Sequence, residues 1–165
     1  MTETAHASCQ CGNVAFEAIG SPITSVICCC DDCQEGSRQI EALPNAPGVQ
    51  EPDGGTAYLL YRKDRFNCIR GDQLLQNLRL REKSPTKRVI ARCCSSAMFL
   101  DFEKGHWFAV YRARLADAPP PQMRIQTRFA PNGTEIRNDI PTYAAFPLRF
   151  MAKLVLARFD MLLRR

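Results

Sequence analysis

The sequence contains no long hydrophobic run. No apolar stretch approaches the roughly 20 residues that a helix needs to cross a bilayer, which argues against a membrane-spanning protein. The first eight residues are polar and lack a positively charged head followed by an apolar segment, so we expect no secretory signal and a cytoplasmic location. No internal repeat of solenoid period is present.

The composition is that of a folded domain. Hydrophobic residues make up 45% and charged residues 24% of the 165 residues, which argues against a largely disordered chain and fits one domain with an appendage. The net charge of +5 permits anionic partners without demanding one, and we find no clear nucleic-acid or membrane signal.

Cysteine is the residue that the sequence has in unusual number. The nine cysteines are Cys9, Cys11, Cys28, Cys29, Cys30, Cys33, Cys68, Cys93 and Cys94. Structural disulfides are rare in a reducing cytoplasm, and close neighbours in an odd total are poorly placed to pair with one another. Clustered thiols therefore favour metal binding, with free buried cysteines as the alternative.

Short strands dominate the predicted secondary structure. The stretch from Gly12 to Gly20 alternates with period two and is bounded by glycines, which is typical of a strand. Further strands are predicted at 26–28, 57–61, 66–69, 74–80, 89–91, 97–102 and 107–111. A short helix begins at Asp31 and ends between residues 40 and 43, whereas 43–55 and 122–143 are expected to be irregular. The pattern predicts a mainly β domain.

A proline-rich segment at 118–121 separates this domain from a predicted helix at 147–165. The apolar stripe of that helix consists of Leu148, Met151, Val155, Phe159 and Leu162, and it is widened by Phe150, Leu154 and Met161. We expect the helix to pack on its own domain, and a dimer contact or a membrane-surface anchor is the alternative.

Two cysteine clusters have spacings that suit metal ligation. Cys9 and Cys11 converge locally on a turn, and Gly12 gives the backbone of that turn its freedom. Their partners must come from far along the chain, where the candidates other than Cys68 are Cys93 and Cys94. Four thiolates close a tetrahedron, so this group is predicted to be a structural zinc site.

The second cluster lies at the start of the predicted short helix. Cys28, Cys30 and Cys33 have no obvious fourth protein ligand, and an open zinc site of this kind is typical of catalysis. Cys29 is expected to point into the core or to be a surface thiol, with a spare ligand as the alternative. Cys68 is expected to be a small buried residue.

Ordered motifs make the sequence resemble the glutathione-dependent formaldehyde-activating enzyme family, which includes centromere protein V. The motifs are Cys9-x-Cys11-Gly12-x-Val14-x-Phe16-Glu17, Cys28-x-Cys30-x-Asp32-Cys33-Gln34, Gly71 with Leu74, and Cys94-Ser-Ser-Ala-Met98. The resemblance covers roughly residues 7–115 and implies an Mss4-like β-tent fold with two zinc sites, in which Cys9 and Cys11 match the first structural pair and Cys28, Cys30 and Cys33 match the second zinc. The sequence departs from the closing Cys-x-x-Cys-Gly motif at Ala91, in place of the first cysteine, and at Ser95, in place of the glycine.

The resemblance implies a function as well as a fold. Residues 7–117 would form the zinc domain and 118–165 a proline-rich linker with a C-terminal amphipathic helix. The implied activity is that of a carbon–sulfur lyase acting on glutathione-type thiol adducts, of which S-hydroxymethylglutathione is an example. The alternative is a non-catalytic, zinc-stabilised binding module with both metals structural. The implied partner is a small-molecule thiol such as glutathione. Independently of the resemblance, the apolar stripe of the C-terminal helix allows a homodimer with a second copy of the chain.

Other candidate polar residues have ordinary interpretations. His106 is expected to be a loop histidine rather than a base, and His6 a solvent-facing residue of a frayed terminus. Arg62, Lys63 and Arg65 are expected to form a solvated turn, with a carboxylate clamp for glutathione as the alternative. No catalytic residue is assigned from the sequence.

Overall fold

Two β-sheets and two α-helices make up the computed structural model, which describes residues 3–163. The strands are β1 (Thr4–Ser8), β2 (Ala15–Ile19), β3 (Thr24–Cys28), β4 (Thr56–Arg62), β5 (Phe66–Arg70), β6 (Leu75–Leu78), β7 (Thr86–Ala91), β8 (Ser96–Phe102), β9 (Trp107–Tyr111) and β10 (Met123–Ile125). The α-helices are α1 (Asp31–Glu41) and α2 (Leu148–Leu163), and single 3-10 turns occur at Lys63–Arg65, Asp72–Leu74, Arg112–Arg114 and Thr127–Phe129.

The strands divide into a small and a large sheet. The small sheet has the order β1-β2-β5, and the large sheet has the order β10-β3-β4-β9-β8-β7-β6. Neighbouring strands are antiparallel except for β10, which runs parallel to β3. Aromatic rings join the two sheets, because Phe16 of β2 stacks on Phe66 of β5 at 4.8 Å and meets Phe99 of β8 edge-on at 5.2 Å. The prediction of a mainly β fold with a C-terminal helix is confirmed, and this arrangement fits the implied β-tent.

Two strands lie where the sequence indicated none. Strand β1 occupies the terminus that was expected to fray, and it pairs with β2 from Thr4 opposite Ile19 to Ser8 opposite Ala15. His6 is exposed, as expected, but it lies on this strand. Strand β10 lies within the segment expected to be irregular, and pairs Met123 with Val26. Both strands are short, so their sequences carry little hydrophobic periodicity. They form because they pair with another strand, β1 with the next strand along the chain and β10 with the distant β3.

The burial predicted for Cys68 is wrong. Cys68 lies on β5, an edge strand of the small sheet on which only Phe66 is buried. An edge strand has a neighbouring strand on one side only, so less of its surface is covered. A strand pattern in the sequence therefore does not by itself predict that Cys68 is buried.

Helix α2 docks through one edge of its broad apolar face. Phe150 and Leu154, which were predicted to widen the apolar stripe, are buried, whereas the stripe itself faces solvent, with Leu148 89% and Phe159 58% exposed. Because the helix is apolar around most of its circumference, the sequence pattern does not select one face. The helix was predicted to reach residue 165, and residues 164 and 165 lie outside the described part of the chain. Within residues 3–163, no helix is long and apolar enough to cross a bilayer.

An ion pair helps to fix the orientation of α2. Arg62, at the end of β4, is only 5% exposed and pairs with both Asp64 and Asp160 of α2. Lys63 pairs with Asp101 at 2.7 Å. The prediction of a freely solvated basic turn is therefore wrong for Arg62, whose charge is used to hold the helix against the large sheet.

Candidate metal centres and the adjoining pocket

The structure brings Cys9, Cys11, Cys93 and Cys94 into one group. Cys9 and Cys11 lie in the turn between β1 and β2, and Cys93 and Cys94 lie in the turn between β7 and β8. All four sulfurs lie within 4.8 Å of one another. Four of the sulfur–sulfur distances are 3.6 Å for Cys9–Cys11, 3.9 Å for Cys9–Cys93, 3.4 Å for Cys11–Cys93 and 4.0 Å for Cys93–Cys94. A tetrahedron with zinc–sulfur bonds of about 2.3 Å has edges of about 3.8 Å, so these four sulfurs have the spacing that such an ion needs.

Backbone conformation shapes both turns of this group. Gly12 has a φ of +77°, and the amide of Val14 donates a hydrogen bond to the Cys9 sulfur at 3.3 Å. Ser95 has a φ of +54°, in the left-handed region that a residue with a Cβ rarely adopts. The resemblance places glycine at this position. The Ser95 hydroxyl donates to the carbonyl oxygen of Pro44 at 2.8 Å, which ties the turn to the loop after α1.

A buried serine hydroxyl contacts the first cysteine group. Ser96 is fully buried, and its oxygen accepts hydrogen bonds from the Gln10 amide at 3.0 Å and from Arg114 at 3.2 Å. Its own proton is then directed to the Cys94 sulfur, 3.1 Å away. Burial acts to raise the pKa of Cys94, but hydrogen bonds from Ser96 and the backbone outweigh burial and lower that pKa to about 6. Sequence reasoning missed the role of Ser96. Nothing in the sequence distinguished this serine of the closing motif from its neighbour Ser95.

Cys28, Cys30 and Cys33 form the second group. Cys28 ends β3, Cys30 is the N-cap residue of α1, and Cys33 lies in the first turn of that helix. Their sulfurs all lie within 4.8 Å of one another, and no fourth cysteine, histidine or carboxylate in residues 3–163 joins them at this spacing. Hydrogen bonds from Cys28 and Cys33 lower the pKa of the Cys30 thiol to about 3. The bond between Cys28 and Cys30 in turn raises the pKa of Cys28. The group thus stabilises a thiolate at the helix N-terminus.

Cys29 turns away from this group. Its side chain is fully buried and packs with Ile27 and Ala57. Burial, with a smaller contribution from the nearby Asp53 carboxylate, raises the pKa of Cys29 to about 11. The structure therefore places Cys29 in the core. The sequence analysis had left two favoured locations for this residue, the core and the surface.

A cavity of about 430 Å³ adjoins the second cysteine group. It lies between the large sheet, the start of α1 and the inner face of α2. The lining residues are Val26, Cys28, Cys30, Asp32, Cys33, Tyr58, Leu60, Thr86, Arg88, Leu100, Phe102, Trp107, Ala109, Ile125, Phe146, Phe150, Met151 and Leu154. We call this cavity the cysteine pocket.

Two buried polar groups at the cysteine end of the pocket lack partners. Arg88 is 2% exposed, and its Nη2 donates to the carbonyl oxygen of Asp32, but its Nε has no hydrogen-bond partner within residues 3–163. The same holds for the hydroxyl of Tyr58. Burial and the neighbouring cysteines raise the pKa of Tyr58, so its hydroxyl stays protonated.

Gly36 explains how Arg88 reaches this position. A Cβ on Gly36 would lie 2.0 Å from Arg88 Nε, so the guanidinium passes where any other residue of α1 would place its side chain. A glycine inside a helix costs about 1 kcal/mol relative to alanine. Gly36 inside α1 was the available sequence signal for this contact, and sequence reasoning missed it.

The remaining sequence candidates are accounted for. His106 lies in the turn before β9, where its ring meets Trp107 edge-on at 4.9 Å, and burial lowers its pKa. Arg62 and Lys63 are engaged with carboxylates, as described above. None of these side chains lines the cysteine pocket.

The fold and the two sulfur groups define a class: a mainly β protein with two cysteine clusters that could each hold a metal ion. Residues 4–44, which contain Cys9, Cys11 and the second cluster, match the family model of the glutathione-dependent formaldehyde-activating enzyme. This match confirms the family resemblance over that segment, and Cys93 and Cys94 lie beyond it. A crystal structure of a Rhodobacter sphaeroides protein is also similar, with 18% identity and a TM-score of 0.49 over 70% of this chain and 91% of that chain. No curated protein matches this chain.

Proposed function

We propose that this protein is a zinc-dependent carbon–sulfur lyase that acts on adducts of small-molecule thiols. The observation that carries the proposal is the second cysteine group: three sulfurs converge at one end of a ligand-sized cavity without a fourth side-chain ligand in the described residues. Three protein ligands and one open position are the arrangement of catalytic zinc sites.

The residues present fit zinc at both groups. Cys9, Cys11, Cys93 and Cys94 offer four soft thiolates at tetrahedral spacing, which suits a closed structural site. Cys28, Cys30 and Cys33 offer three. Three thiolates around a divalent cation leave one negative charge, and the buried guanidinium of Arg88 lies beside the pocket to offset it.

The chemistry divides between sulfur and oxygen. Zinc, when bound, supplies a lower pKa for a thiol and stabilises the sulfur anion that cleavage releases. In a hydroxymethyl adduct, the carbon–sulfur bond breaks with its electron pair remaining on sulfur, and the hydroxyl loses its proton to solvent as the carbonyl forms. Tyr58 and Arg88 line the pocket and carry hydrogen-bond donors, so they are the side chains that would orient the oxygen.

Titration of glutathione into cobalt-loaded protein tests the open site. We expect millimolar-scale thiol to change the sulfur-to-cobalt charge-transfer band, and we expect Cys30→Ser to abolish the change. Cys68→Ser is the matched control, because Cys68 is an exposed cysteine outside both groups, and it should keep the response. A spectrum indifferent to thiol would instead favour the non-catalytic binding module. Release of formaldehyde from S-hydroxymethylglutathione then measures turnover.

We also propose that the outer face of α2 docks on a second copy of the chain. The exposed apolar side chains of this face are Leu148, Met151, Val155, Leu156, Phe159, Leu162 and Leu163. Their combined area is on the order of the ~800 Å² per partner that a stable interface buries. Sedimentation should give twice the chain mass of 18.6 kDa, and Phe159→Lys should give the monomer. Ile69→Lys, at an exposed apolar site on β5, should leave the dimer intact. A monomeric wild-type protein, whether or not it binds vesicles, would contradict the proposal.

A further inference from the structure

We infer that the cysteine pocket selects thiols with an uncharged aromatic or alkyl body over glutathione. The inference rests on the proposed function only in taking a thiol sulfur as the group that meets Cys28, Cys30 and Cys33. The selection itself follows from the walls of the pocket, which the protein builds from apolar side chains.

The walls come from both the large sheet and the C-terminal segment. From the sheet, Leu60, Leu100 and Trp107 face the pocket. From the other side, Phe146 and Phe150 stack with ring centroids 5.4 Å apart and an interplanar angle of 14°, so they form one continuous aromatic surface. An apolar ligand body gains free energy from leaving water against such walls.

Charged partners for a peptide-like thiol are scarce in the pocket. Glutathione carries two carboxylates and an ammonium group at neutral pH, and burying them without partners is costly. Arg88 is the one cation among the lining residues, and it lies at the cysteine end, where it already donates to a carbonyl oxygen. The one lining carboxylate, that of Asp32, pairs with Arg81 at 3.0 Å.

The basic turn cannot supply the missing cations. Arg62 is engaged by Asp64 and Asp160, and Lys63 is engaged by Asp101. Arg65 also pairs with Asp160, at 3.6 Å. A carboxylate clamp at this turn would have to break the ion pairs that hold α2 in place. The pocket therefore offers an apolar body site with polar donors at one end only.

The pocket has the size for such a ligand. Its volume of about 430 Å³ lies at the lower end of the 300–1,000 Å³ that ligand pockets commonly occupy. A small aromatic thiol, such as phenylmethanethiol, places its ring between the sheet and the aromatic pair while its sulfur reaches the cysteine group.

Calorimetric titration of the zinc-loaded full chain tests the inference without relying on turnover. We expect phenylmethanethiol to bind at least tenfold more tightly than glutathione. Phe146→Ala should weaken phenylmethanethiol by about fivefold or more and leave glutathione unchanged, because Phe146 is half exposed and forms the rim of the pocket. Phe129→Ala is the matched control, since Phe129 is also partly exposed but does not line the pocket.

The possible results separate the inference from the proposed function. If glutathione binds as tightly as phenylmethanethiol and both change the cobalt spectrum, the inference is overturned and the open thiol site stands. If phenylmethanethiol and phenylmethanol bind equally and neither changes the cobalt spectrum, the apolar pocket stands and the thiol site is overturned. Equal weakening of phenylmethanethiol by Phe146→Ala and Phe129→Ala also overturns the inference.

Discussion

Replacement of Cys11 by serine tests the first metal centre at little cost to packing. The Cys11 side chain is exposed, so Cys11→Ser removes almost no buried surface. The substitution removes one of four thiolates, and we expect the zinc content to fall by about one equivalent per chain. Because a structural metal contributes its binding free energy to folding, the loss should also appear as reduced stability.

The expected magnitude follows from the chain segment that the centre closes. Cys9 and Cys93 are 84 positions apart, and a cross-link that closes a loop of this length restricts the unfolded chain by about 4–5 kcal/mol. In a chain of 165 residues, each kcal/mol shifts the melting temperature by about 2–4 °C, which predicts a decrease of about 8–20 °C.

Metal analysis and differential scanning calorimetry measure the two effects on the same samples. Cys68→Ser serves as the control, because it exchanges the same atoms at another exposed cysteine, and its stability should change by less than about 0.5 kcal/mol. Full zinc content in Cys11→Ser, together with a melting temperature within about 2 °C of wild type, would refute the assignment of Cys11 as a ligand.

Three further predictions concern residues that support the sites. Ser95→Gly should be about 1 kcal/mol more stable than Ser95→Ala in denaturant unfolding, since both lose the bond to Pro44 but only glycine relieves the positive φ; equal stabilities would show that the turn is unstrained. Gly36→Ala should displace the Arg88 guanidinium and cancel the helix-propensity gain of about 1 kcal/mol; a full gain in thermal unfolding would contradict that contact. Asp53→Ala should cost about 1–3 kcal/mol, because the buried Arg124 loses its partner at 2.7 Å but keeps its ion pair with Asp139; a loss below about 0.5 kcal/mol in urea unfolding would show that the Asp53 pair is dispensable.

Local spacing is what made the cysteine groups predictable. Within each group, the cysteines that are close in sequence converge because one short segment carries them, and their spacing can be read from the sequence. These cysteines are Cys9 and Cys11 in the first group and Cys28, Cys30 and Cys33 in the second. The approach of Cys93 depended on a long-range argument from family motif and elimination. The residues that surround the sulfurs were not predictable in this way, since Ser96 acts through contacts that join separate strands.

The side on which α2 docks has a physical explanation. A helical pattern predicts which residues share a face, but not which face meets the domain when apolar residues encircle the helix. Here Phe150 and Leu154 are buried, and the choice is reinforced by the ion pair of Asp160 with Arg62. Neither the identity of that pair nor the burial of Arg62 can be predicted from local composition, because the two residues are 98 positions apart.

The origin of the pocket walls has an evolutionary consequence. The sulfur group is encoded in residues 28–33, inside the segment that matches the family model, whereas Phe146 and Phe150 are encoded outside it. Drift or selection in the carboxyl-terminal segment can therefore alter the walls of the cysteine pocket while the segment with the sulfur group is inherited intact. Homologues that share the cysteine spacing but differ in this tail should diverge in specificity before they diverge in chemistry.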